Sequence, residues 1–292
     1  MTFSLKNSLK SSLKSSIIIL KLVVPIYILA DLLFYYDLLK YITFIFEPIT
    51  SFLDLPSEAS LSIVSGIFLN LYAAIAFAAP LGLSPREWTI LAVFLGVCHS
   101  MIVETAVMKK IGISKKYSFL LRVGVGLFVG YLTTLFPDSW FISNATQNTD
   151  APVMKIYASV FELLSNSFYE SILLSIKIII LISVLIFVLD YIKSLKIIQE
   201  YSNKVSSAFS ITIGMILGIT YGAGILISEY EKNTLCKKDI IFIGTFLMIC
   251  HAIIEDTLLF VIFGANPWII VSLRLIFAFI FSIIMVRILN KK

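Results

Sequence analysis

Charge is scarce in this chain. Only 14% of its 292 residues are Asp, Glu, Lys or Arg, against about 25% in an ordinary soluble domain. Together with 59% hydrophobic residues and a mean hydropathy of +0.98, that shortage excludes a soluble globular fold. Histidine occurs twice. Cysteine occurs three times, at Cys98, Cys236 and Cys250, which makes no disulfide framework. There is no HExxH zinc-peptidase signature, no P-loop and no Gly-rich nucleotide motif. The chain is therefore not expected to be an enzyme, and any transport must draw on an ion gradient or the solute's own gradient. The net charge of +5 does not point to nucleic acid, because most lysines sit in short loops, where they act as topology signals.

What the sequence has instead is long apolar runs. They cover about 16–36, 59–81, 88–108, 117–136, 171–192, 207–228, 240–263 and 267–286. Each approaches the roughly 20 residues that cross a bilayer core. The runs are continuous rather than alternating, which argues against a water-filled barrel. Two further segments, 39–53 and 194–206, are broken by charge, and each reads as a short crossing, a re-entrant hairpin or an interfacial helix. The fold class is all-α, a polytopic helical membrane protein in contact with the lipid bilayer. The apolar stretch after the Ser/Lys-rich N-terminus is read as a retained first helix, since no small-x-small cleavage site follows it.

The chain repeats itself. An ungapped offset of 152 residues aligns Cys98-His99 with Cys250-His251, Gly66 with Gly218, Glu104 with Asp256, Thr105 with Thr257, Gly112 with Gly264 and Arg122 with Arg274. The two copies are 15–136 and 168–289, joined by a polar external linker, 137–167. If both ambiguous segments cross, ten spans result, and 15 of the 19 loop lysines and arginines fall on the cytoplasmic side. With eight spans the split is 11 to 8. The ten-span pattern is expected, with both termini cytoplasmic in the cell membrane. Five helices per copy is an odd number, so the copies are expected to be inverted repeats, as in many secondary transporters.

His99 and His251 fall near the middle of their runs, and so near the bilayer midplane. Ionisable groups at that depth normally face a cavity or a partner. Glu104 and Asp256 lie five residues further on, a step that rotates about 140° on a regular helix. Each histidine and its acid can meet only if the helix is widened, as in a π-bulge, and otherwise they address different neighbours. Glu255 is four residues from His251 and shares its helical face. Glu104 and Arg122 lie at matching depth on two arms of a hairpin, as do Asp256 and Arg274, and an ion pair is expected in each copy. The candidate substrate- or ion-binding residues are thus His99, Glu104, His251, Asp256, Glu255, Thr105 and Thr257, with Arg122 and Arg274 in structural pairs. Cys98 and Cys250 are candidate ligands for a divalent metal beside the histidines, or small apolar packers. The histidines have a plain reading too, as hydrogen-bonding contacts between helices.

The segments CHSMIVETAVMKKIG (Cys98 to Gly112) and CHAIIEDTLLFVIFGAN (Cys250 to Asn266) resemble the nucleoside-recognition, or gate, domain family of membrane proteins. That group is similar to spore maturation proteins A and B, the membrane part of ferrous iron transporter B, and parts of concentrative nucleoside transporters. The resemblance covers most of the chain as two gate-like halves. It implies a transporter-like protein for a small polar solute or ion, with the site between the halves. It also allows a non-transporting membrane partner of the spore-maturation type, and more remotely an intramembrane metal-dependent enzyme. A homodimer stays open as an assembly.

Overall fold

The computed structural model describes residues 3–38, 40–141, 157–195, 211–212, 214–216, 227, 230 and 235–289. Among these the secondary structure is helical throughout, and six segments are long and apolar enough to cross a membrane. They are α1 (Leu5–Tyr35), α6 (Pro85–Cys98) with α7 (Met101–Lys110), α8 (Lys115–Thr134), α9 (Val160–Ser194), α10 (Lys237–Ile249) with α11 (Ile253–Val261), and α12 (Pro267–Leu289).

The expected crossing at 59–81 is not one helix. It is a hairpin of two short helices, α4 (Ser60–Phe68) and α5 (Leu71–Ala78), turning at Leu69-Asn70. Asn70 is extended, and its side chain accepts the Ala73 N–H at 3.0 Å, starting a new helix where the apolar run gives no break. Across the hairpin, Ser62 Oγ donates to Ala74 O at 2.8 Å. The described part of segment 39–53 holds no helix long enough to cross. It forms the short helices α2 (Lys40–Thr43) and α3 (Glu47–Phe52). The run at 207–228 and segment 194–206 lie largely outside the described residues.

The two longest helices also begin earlier than the hydropathy suggests. Ser4, Ser8, Ser12 and Ser16 recur every four residues, so they share one face of α1. That face packs on α9. Ser8 Oγ donates to Asp190 Oδ2 at 2.8 Å, Ser12 Oγ to Ser183 Oγ at 2.6 Å, and Ser167 Oγ to Asp31. Lys6, Lys10 and Lys14 point the opposite way and are exposed. On α9 the start is fixed by Ser159, whose hydroxyl accepts the Glu162 N–H at 3.2 Å. Residues 160–167, expected in the linker, therefore belong to the helix.

The offset of 152 governs the backbone as well as the sequence. Capping boxes start α6 at Ser84/Glu87 and α10 at Cys236/Asp239. Gly112 (φ 84°) ends α7 and Gly264 (φ 90°) ends α11, at left-handed positions that favour glycine. One alignment needs correction. Ser100 N donates to Gly66 O at 2.9 Å, and Ala252 N to Gly214 O at 3.4 Å. A Cβ on Gly66 would meet Leu95 at 2.7 Å, and one on Gly214 would meet Leu247 at the same distance. The structural counterpart of Gly66 is thus Gly214, four residues before Gly218, which itself lies outside the described residues.

The copies interlock through these repeated spans. Trp88 stacks on Phe263 (centroids 4.3 Å apart) and His99 faces His251, while Tyr117 at the start of α8 bonds Thr245. Rising numbers on one span thus meet falling numbers on the other, so α6–α7 runs antiparallel to α10–α11.

Candidate functional site

Each histidine sits at a break in its span. α6 stops at Cys98. His99 is extended (φ −69°, ψ 161°), Ser100 is left-handed (φ 47°), and α7 begins at Met101. In the other copy α10 stops at Ile249, Ala252 is left-handed (φ 46°), and α11 begins at Ile253. The helix is therefore neither regular nor widened. It is interrupted, and the 140° rotation that separates a histidine from an acid five residues on does not apply.

A break inside a bilayer frees carbonyls that water cannot satisfy. The arginines satisfy them. Arg122 is fully buried. Its Nε donates to Val97 O at 2.7 Å, and its Nη2 to His99 O at 2.6 Å. Arg274, also fully buried, donates from Nε to Ile249 O at 3.2 Å and from Nη2 to His251 O at 2.7 Å. Each arginine also meets its acid. Arg122 Nη2 lies 2.8 Å from Glu104 Oε2, and Arg274 Nη1 lies 3.0 Å from Asp256 Oδ2. A planar guanidinium with five donors can hold a broken helix end and a carboxylate at once, which a lysine cannot.

The histidines are held by their own half-helices. His99 Nδ1 donates to Leu95 O and His251 Nδ1 to Leu247 O, both at 2.8 Å. A carbonyl only accepts, so each Nδ1 carries a proton, and the opposite nitrogen faces the site. Both Nε2 atoms lie 3.1 Å from one oxygen, Oε1 of Glu104. The rings are 5.1 Å apart, and the three ligand atoms lie within 4.8 Å of one another. All three residues are buried, with His251 at 2% exposure. The cluster takes His99 and Glu104 from one copy and His251 from the other.

The remaining expected site residues stand apart from it. Among the described residues, no hydrogen bond or ion pair joins Asp256 to either histidine. Asp256 is one methylene shorter than Glu104 and stays with Arg274. Glu255 does not use the face it would share with His251 on a regular helix, because the helix breaks between them. Its Oε1 accepts from Tyr72 OH of the α4–α5 hairpin at 3.0 Å. Thr105 Oγ1 is 3.3 Å from Ser118 Oγ. Thr257 Oγ1 is buried with no hydrogen-bond partner among the described residues. Cys98 Sγ donates to Arg122 O at 3.2 Å, and neither Cys98 nor Cys250 joins the three-residue cluster. Sequence reasoning missed Ser100 and Leu69. Ser100 Oγ donates to Leu69 O at 3.1 Å, which docks the hairpin tip on the helix break. A polar residue directly after the histidine was the available signal.

No family model matches the sequence, and no solved structure matches it. The chain is similar to the "Uncharacterized membrane protein YvoD" of Bacillus subtilis (strain 168), with 27% identity over 267 residues, spanning 87% of this chain and 85% of that protein. The spans and this likeness together make the chain a polytopic membrane protein homologous to that protein.

Proposed function

We propose that this chain is a transporter rather than an enzyme, and that it moves a small polar solute or ion through a site between two inverted gate-like repeats. One observation carries the reading. Paired helix breaks bring His99, Glu104 and His251 from both copies to one buried spot at the middle of two antiparallel spans. Discontinuous helices at a repeat interface are where secondary transporters bind their cargo.

The topology follows from the same parts. The described residues of each copy hold three long spans; the first copy adds the α4–α5 hairpin, which we take to enter and leave on one side, and by the sequence repeat we read the matching run 207–228 the same way. Three is odd, so the second copy is inverted, with fewer crossings than hydropathy alone suggests. This arrangement places 16 of the 19 loop lysines and arginines on the side of both termini, and only Lys40, Arg86 and Lys155 opposite. It fits the positive-inside rule better than either pattern drawn from hydropathy.

The test is flux into proteoliposomes, with proton, metal-ion and nucleoside uptake each measured under imposed gradients. The expected result is uptake of one of these that disappears in the double variant His99→Ala, His251→Ala. Uptake that persists unchanged in that variant overturns the site.

A further inference from the structure

Three electron-pair acceptors meet at the centre of this protein with no described donor between them. Each Nδ1 is committed to a backbone carbonyl, so each neutral ring aims its Nε2 lone pair inward. Both lone pairs converge on a carboxylate oxygen. Arg122 pairs with the other carboxylate oxygen, and a ring proton on His251 would satisfy Oε1 through their 3.1 Å hydrogen bond but leave the His99 lone pair facing it; a bound cation serves all three at once. We propose that His99 Nε2, His251 Nε2 and the Glu104 carboxylate together bind one divalent first-row transition cation, and that this cation is the cargo.

The spacing fits a metal. Ligands about 2.1 Å from a metal stand roughly 3.0–3.4 Å apart in cis octahedral or tetrahedral geometry. The two N···O separations are 3.1 Å, and all three ligand atoms lie within 4.8 Å of one another, so the two rings need close only modestly around an ion. The surroundings fit as well. Metal-bound histidines characteristically donate their other N–H to a carbonyl or carboxylate, which fixes ring and tautomer. Here Leu95 O and Leu247 O take those protons, and Arg122 holds the second oxygen of Glu104.

The donor set also selects. Two imidazoles and one carboxylate suit Mn(II), Fe(II), Co(II) or Zn(II). Magnesium and calcium prefer all-oxygen sites, and soft Cu(I) prefers thiolates, which Cys98 and Cys250 do not offer here. Three protein ligands leave positions for water, so the ion need not be fully stripped to enter. The Arg122 guanidinium shares Glu104 and opposes a dication nearby. That weakens the hold, as release of a cargo requires and a permanent structural ion does not.

The cargo clause rests on the transport reading above, whereas the binding clause does not. The experiment therefore has two arms. Purified protein, stripped with chelator in detergent, is titrated with Co(II) and followed by visible absorption, with Zn(II) as competitor. One Co(II) per chain is expected, with affinity falling about 100-fold or more in Glu104→Gln and in His251→Gln, while Lys110→Gln, an exposed position at the end of α7, stays within a few-fold. Folded wild-type protein that takes up no Co(II) overturns the proposal outright. So does stoichiometric binding undiminished in both ligand variants. In the second arm, liposomes enclosing a metal-sensitive dye report Zn(II) entry. Binding without entry supports the metal site and overturns the claim that the bound ion is the cargo. Proton or nucleoside flux without metal binding overturns the proposal and leaves that reading standing.

Discussion

Gly126 is the sharpest probe of how His99 is held in place. It lies on α8 where that helix presses against the end of α6. A Cβ added there would overlap Cys98 Sγ by more than an ångström relative to an ordinary contact of about 3.5–4.0 Å. Cys98 cannot swing aside freely, because its Sγ–H is bonded to Arg122 O at 3.2 Å in a fully buried setting. In an exposed helix, Gly→Ala gains about 1 kcal/mol of propensity. Overpacking a tight interior costs about 1–3 kcal/mol. With the sulfur pinned, the upper part of that range applies, and Gly126→Ala should lose about 2 kcal/mol net. Cys98→Ala alone should lose about 1 kcal/mol, from the weak hydrogen bond and the lost volume. In the double variant the new methyl occupies the space the sulfur leaves. Its loss should be about 1 kcal/mol rather than the additive 3, a coupling of about 2 kcal/mol. SDS titration of purified protein in mixed micelles, followed by far-UV circular dichroism, measures all four corners of the cycle. Additive losses, or a Gly126→Ala protein as stable as wild type, would refute the account of this contact.

Other parts of the structure make independent claims. Arg274→Lys keeps the charge but loses the fork that spans Ile249 O, His251 O and Asp256, and should cost roughly 3 kcal/mol in the same titration; wild-type stability would show that the broken helix end does not need it. Gly264→Ala forces a left-handed alanine at φ 90° and should cost about 1 kcal/mol, whereas Gly124→Ala, with open space around its Cβ, should cost nothing measurable or stabilise. For topology, Lys115→Cys in the α7–α8 turn should resist an impermeant thiol reagent applied to intact cells and react after permeabilisation; labelling before permeabilisation contradicts the inverted arrangement.

Much of this was legible in the sequence, and the misses have physical causes. The repeat offset, the histidine pair and the depth match of Glu104 with Arg122 needed only spacing and hydropathy. The helix breaks did not show, because Val97-Cys98-His99-Ser100 contains neither glycine nor proline. The break is sustained from outside, by Arg122 and by the Gly66 carbonyl, and no local propensity records that. The α4–α5 hairpin read as one crossing at 59–81 because its tip is only Leu69-Asn70, and Asn70 as a helix cap was the clue. The early start of α1 was written in serines every fourth residue, a polar stripe that a hydropathy window averages away. Gly214 lies four residues before Gly218, so an ungapped offset of 152 passes over it, and only the shared contacts with the residue after each histidine pick it out. Glu104 and Asp256 read as equivalents, but a single methylene decides which of them reaches both histidines.

That last difference has a mechanical consequence. The 3.1 Å contact of His251 Nε2 with Glu104 Oε1 joins opposite copies, whereas that of His99 stays within one, and each ring keeps its own carbonyl anchor within its half-helix. A shift of one copy against the other by little more than an ångström would leave both anchors intact and pull His251 out of reach of Glu104. If the proposed cation occupies the site, occupancy and closure would be the same event: the ion would act as a rivet between the two copies, and its loss would let them part.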